Sequence, residues 1–89
     1  MRNVIQSIIQ DKISEGYIFD AHSIIEYIIQ NQSDIYLLSY QNGWTTKFYH
    51  SEISKTIASF EGIIIKRVGK CWSLNIHKKF TKNVCWKKL

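Results

Sequence analysis

Eighty-nine residues, 45% of them hydrophobic, make one small domain (1–89) that is too apolar to stay disordered and small enough to gain stability from a partner. No apolar run approaches the roughly 20 residues of a membrane helix, and no basic-then-apolar leader opens the chain, so a cytoplasmic protein is expected. The net charge of +5 is divided unevenly: residues 1–61 hold four basic and seven acidic side chains, whereas 62–89 hold eight basic ones (Lys66, Arg67, Lys70, Lys78, Lys79, Lys82, Lys87, Lys88) and no acid. A segment of that kind attracts polyanions through counterion release and long-range steering. Membrane phosphates and acidic proteins answer to the same charge, and a solvated face is the plain alternative.

In chain order, Val4, Ile5, Ile8, Ile9 and Ile13 share one stripe of a helix over residues 2–13. Gly16 breaks that pattern, and Tyr17-Ile18-Phe19 has β character over only three residues. Asp20 is placed to cap a second helix, Ala21 to about Gln30, whose buried stripe is Ala21, Ile24, Ile25, Ile28 and Ile29. Residues 35–40 fit a short helix or a buried strand, with the helix favoured, and Gln41-Asn42-Gly43 is a turn by composition.

Thr46 to Gly62 reads as one amphipathic helix. Tyr49, Ile53, Ile57 and Phe60 line the core stripe, Thr45 or Thr46 can cap its start, and Gly62 can supply the left-handed end. Its other side carries Lys47, Ser51, Ser54, Lys55, Ala58 and Ser59, without a carboxylate. After Gly62 the period changes to two. Ile63–Val68 is a run of strong β character that either extends the following strand or stands as a third one. Residues 71–76 and 83–89 alternate as the arms of an antiparallel hairpin around a basic loop, 77–82. Trp72, Leu74, Ile76, Val84 and Trp86 are assigned inward; Cys71, Ser73, Asn75, Asn83, Cys85 and Lys87 outward.

Two registers suit that hairpin, Trp72 opposite Trp86 or opposite Val84, and the second sets Cys71 across from Cys85. In a reducing cytosol both cysteines are expected as free thiols. Neither they nor His22, His50 and His77, each in a different element, form a metal-ligand spacing, so no metal or cofactor is expected.

Over nearly its whole length this order of elements resembles the winged-helix DNA-binding domains. Gly16 to Asp20 is similar to the short strand leading into a capped helix, Thr46 to Gly62 stands in the place of the recognition helix, and Cys71 to Leu89 in that of the wing hairpin. The ending Ser73-Leu74-Asn75-Ile76 through Val84-Cys85-Trp86-Lys87-Lys88 also resembles small proteins of bacterial mobile elements. The resemblance implies an α+β fold of three helices and a C-terminal antiparallel hairpin, with a short third strand at 17–19 left open. It departs at residues 31–45, a longer link than a simple helix-turn-helix uses.

The resemblance further implies a regulator that binds duplex DNA, and with no carboxylate in the tail and the histidines in separate elements a non-enzymatic role is expected. Lys47, Ser51, Ser54, Lys55 and Ser59 would lie in or near a major groove, with Lys78, Lys79 and Lys82 holding the backbone. No Arg, Asn or Gln stands on that helix face to read a base bidentately. Trp72, Phe80 and Trp86, interleaved with lysines, have the composition of a single-strand surface, but the two tryptophans are assigned to the core and only Phe80 is left open. The rival expectation is a module that docks on a host protein. Tyr27, off the apolar stripe of its helix, favours a homodimer; no membrane partner is expected.

Overall fold

The computed structural model describes all residues 1–89. Four helices, α1 (Arg2–Lys12), α2 (Ala21–Asn31), α3 (Ser33–Leu38) and α4 (Thr46–Ala58), combine with three strands, β1 (Ile18–Asp20), β2 (Ile65–Leu74) and β3 (Phe80–Lys88). The sheet is antiparallel in the order β1-β3-β2, so the fold is α+β, with the third strand present one residue later than expected.

The isoleucine stripes meet as their spacing requires. Ile5, Ile8 and Ile9 of α1, Ile24, Ile25 and Ile28 of α2, and Tyr49, Ile53 and Ile57 of α4 are buried together against Phe19, Ile65 and Trp86 of the sheet. Burying each such side chain stabilises by about 1.5–3 kcal/mol, which outweighs the modest helix propensity of isoleucine. Asp20 caps α2 by accepting from the Ser23 amide at 3.1 Å, and Thr45, not Thr46, caps α4 by accepting from the Phe48 amide at 3.0 Å. Beyond Ala58 the chain tightens into 3₁₀-type turns (Phe60 N–H to Ile57 O, 3.0 Å; Glu61 N–H to Ala58 O, 3.1 Å) before Gly62 turns it at φ 81°. The regular helix therefore ends short of Gly62, while Phe60 still reaches the core.

The favoured helix in the long link is present as α3, so the strand alternative falls. The link is an aromatic lid over Tyr49. Ring centroids of Tyr36, Tyr40 and Trp44 lie 4.9, 4.6 and 5.8 Å from that of Tyr49, whose hydroxyl donates to the Tyr36 carbonyl at 2.5 Å. Tyr27 is half-buried against the core, which removes the exposed ring that favoured a homodimer.

The hairpin decides one open alternative and overturns two expectations. Ile65–Val68 belongs to β2, because Gly69 (φ 137°) sits in a β-bulge, where the register shifts between Arg67 and Gly69, and does not end the strand. Neither expected register occurs: Trp72 pairs with Lys82, Gly69 with Cys85 and Cys71 with Asn83. Cys71 and Cys85 are then diagonal neighbours, 6.0 Å apart at Cα, and are joined in a disulfide in place of the expected free thiols.

Burial along the arms is also not as assigned. Trp86 is buried, but Trp72, Leu74 and Ile76 are exposed, while Cys85 is buried and Asn83 half-buried. The ten residues of β2 span about 33 Å and the thirteen of α4 only about 20 Å, so the helical layer cannot cover the hairpin's far end. A bulge also increases the twist of a two-stranded ribbon. Near its base the face holding Val84 and Trp86 lies toward α4; near its tip the opposite face, with Thr81 and Asn83, turns toward the helices.

Candidate nucleic-acid interface

The outer face of α4 and the inner side of the hairpin bound a groove. At the N-terminal end of α4, Lys47, His50, Ser51 and Ser54 stand across from His77 and Lys82 around a concavity of about 460 Å³. Toward its C-terminal end, Ser54, Lys55 and Ala58 stand across from Arg67, Lys70 and Lys82 around one of about 390 Å³. Ser54 and Lys82 line both, which makes the two concavities one path, and no carboxylate lines either.

The expected site residues divide. Lys47, Ser51, Ser54, Lys55 and Lys82 are brought together in this groove. Lys78 and Lys79 are exposed at the hairpin tip and do not line it. That tip is shaped by Asn75, whose side-chain oxygen accepts from the amides of His77 (2.9 Å) and Lys79 (3.2 Å). Ser59 is directed elsewhere: its hydroxyl donates to the Thr56 carbonyl at 2.5 Å and accepts from Arg2, on the α1 side. Ser51 and Ser54 donate their hydroxyl hydrogens to the carbonyls of Phe48 (2.7 Å) and His50 (3.1 Å). They present lone pairs to the groove, which a phosphate does not seek, so donation there falls to the lysines.

Cationic strength is distributed by local pairing. Lys55 lies 3.2 Å from Glu52, and Arg67 lies 3.9 Å from Glu61 while stacking on Trp86. Lys88 is consumed structurally, donating to the Gln10 and Ile13 carbonyls at 2.8 and 2.9 Å near the end of α1. Lys47, Lys70 and Lys82 have no carboxylate partner, and they carry the groove's free charge.

Sequence reasoning did not bring the three histidines together. His22, His50 and His77, far apart in the chain, all line the α4–hairpin groove. His22 ties the hairpin to the start of α2: its Nδ1 is 2.6 Å from the Ser73 hydroxyl and 3.0 Å from the Asn83 amide, and Ser73 donates to the buried Asp20 carboxylate at 2.5 Å. His50 pairs with the Tyr36 hydroxyl at 2.8 Å, and burial, with smaller contributions from His77 and His22, lowers its pKa below the usual 6.5. The only local signal is the alternation that sets Cys71 and Ser73 of β2 and Asn83 and Cys85 of β3 on one hairpin face, the face expected outward.

These shifts set a pH window. Burial, reinforced by Tyr36, pushes the Tyr49 hydroxyl from 10 up to about 12. A raised folded value contributes stability that is complete below 10 and lost as pH rises through 12; the lowered His50 value contributes above 6.5 and is lost as pH falls through it. Melting temperature is expected to fall as pH drops below 6.5 and as it rises above 10, and Tyr49→Phe should shallow the alkaline fall. An unchanged alkaline slope in that variant would refute the assignment.

No helix is long and apolar enough to cross a membrane. No protein-family model, curated protein or solved structure matches this chain, so its function has to be argued from the groove itself.

Proposed function

We propose that this chain is a winged-helix-like module that binds duplex DNA along the groove between α4 and the β2–β3 hairpin. The observation that carries this reading is the convergence of the α4 outer face and the basic hairpin on one concavity without a carboxylate. Helices followed by a C-terminal antiparallel hairpin are compatible with this reading, although four helices stand where the resemblance implies three.

In this reading α4 sets position and the hairpin supplies affinity. Lys47, Lys70 and Lys82 engage phosphates as point charges, with the tip lysines Lys78 and Lys79 extending the field outward. With the α4 serines turned to their own backbone and the Asn83 amide held by His22, few groups remain to read base edges. Binding is therefore expected to depend strongly on salt and weakly on sequence.

Fluorescence anisotropy of a labelled random-sequence duplex, titrated with protein at low salt, tests the reading. Saturable binding is expected, and the absence of binding by protein with intact circular dichroism would overturn it.

A further inference from the structure

The hairpin exposes two aromatic rings that the groove does not use. Trp72 is 64% and Phe80 67% exposed, whereas Trp86, farther along the same face, is 3% exposed. The pairing places them together. Trp72 lies opposite Lys82, Leu74 opposite Phe80 and Lys70 opposite Val84, and directly paired residues in an antiparallel ladder point to the same side. Trp72 and Phe80 are thus diagonal neighbours on one face, with Lys82 beside one ring and Lys70 two residues from it on the same strand.

An exposed Trp and Phe are costly to leave in water unless something covers them. What covers them must also tolerate the surroundings: the whole segment from Gly62 to Leu89 carries no carboxylate, and Lys70 and Lys82 have no ionic partner. An apolar protein surface would leave these ammoniums unpaired. An unpaired nucleic-acid strand supplies both complements, because its bases stack on aromatic faces while its phosphates meet the lysines.

We propose that the face of the hairpin bearing Trp72 and Phe80 is a stacking platform for an unpaired DNA strand, distinct from the α4 groove but sharing Lys70 and Lys82 with it. The shared lysines hold the backbone at the edge of the groove, and bases extend from there onto the two rings. A duplex presents only base edges to this surface, so the platform selects unpaired bases and leaves duplex contacts to α4.

Intrinsic tryptophan fluorescence during titration with an oligothymidylate provides the test. Of the three tryptophans only Trp72 is exposed, Trp44 being half-buried and Trp86 buried, so stacking should quench the signal and Trp72→Ala should remove that quenching. By anisotropy, Trp72→Ala and Phe80→Ala are each expected to weaken oligothymidylate binding about tenfold while changing duplex binding less than about twofold; Trp72→Phe should retain most of the affinity. Duplex binding without oligothymidylate binding would overturn the platform and leave the groove reading intact. So would oligothymidylate binding that both alanine variants retain. Anionic phospholipid vesicles form the last arm: a blue shift of Trp72 on vesicles, with no quenching by the oligonucleotide, would also overturn the proposal and assign the face to a lipid surface.

Discussion

A chain carrying both Lys47→Glu and Lys82→Glu is expected to bind random duplex DNA roughly a hundredfold more weakly at low salt, with a fold unchanged by circular dichroism. The two lysines face one another across the groove, and neither has a carboxylate within ion-pair range. Each reversal removes one phosphate contact and adds one repulsion, which we take as about tenfold apiece. The slope of log K against log[salt] should fall by about 2 when both contacts are lost. Lys55, the other α4 lysine, shares its charge with Glu52 at 3.2 Å and should matter less. Binding by the double variant at the parent's affinity would show that the groove is not the contact surface.

Asp20→Ala carries the largest expected effect on stability. The carboxylate is 4% exposed and accepts from the Ser23 amide at 3.1 Å, the Ser23 hydroxyl at 3.2 Å and the Ser73 hydroxyl at 2.5 Å. It has no cation beside it, but the start of α2 presents the positive end of the helix dipole. Loss of a cap costs about 1 kcal/mol, and leaving the half-buried Ser73 hydroxyl without its acceptor adds about 1–3, so a loss of about 2–4 kcal/mol is expected. In a domain of this size that lowers the melting temperature by about 10–30 °C. Asp20→Asn, which retains an acceptor for the cap, should lose about half as much. A loss of only about 1 kcal/mol in Asp20→Ala would mean that Asp20 caps α2 without holding the hairpin through Ser73.

The hairpin shows where legibility ended. The isoleucine stripes, the Asp20 cap and the turn at Gly62 were readable because each depends on residues within one or two helical turns of one another. In the hairpin, alternation separated Trp72 and Leu74 from Cys71 and Ser73 correctly, yet it cannot say which set is covered. That depends on the bulge at Gly69, on ribbon twist and on the short reach of the helical layer. The same bulge set the register that placed Cys71 diagonal to Cys85, whereas the argument for free thiols rested on compartment alone.

The candidate site was legible in part for a related reason. Lys47, Lys55 and Lys82 could be named from helical phase and charge, and the fold brings them to one groove. Ser59 lies outside the groove because the cap position after α4 directs its hydroxyl to Arg2 and the Thr56 carbonyl. The histidines converge only through tertiary packing, which no local spacing encodes.

The proposed role of the carboxylate-free groove is to hold nucleic acid. Its most direct measurement is the affinity of the intact chain for a random duplex across about 50 to 200 mM salt. Lys47, Lys70 and Lys82 predict about three released counterions, hence a slope of log K against log[salt] near −3, steeper if the tip lysines also engage. Folded protein that shows no binding at the lowest salt, or an affinity that does not change with salt, would contradict it.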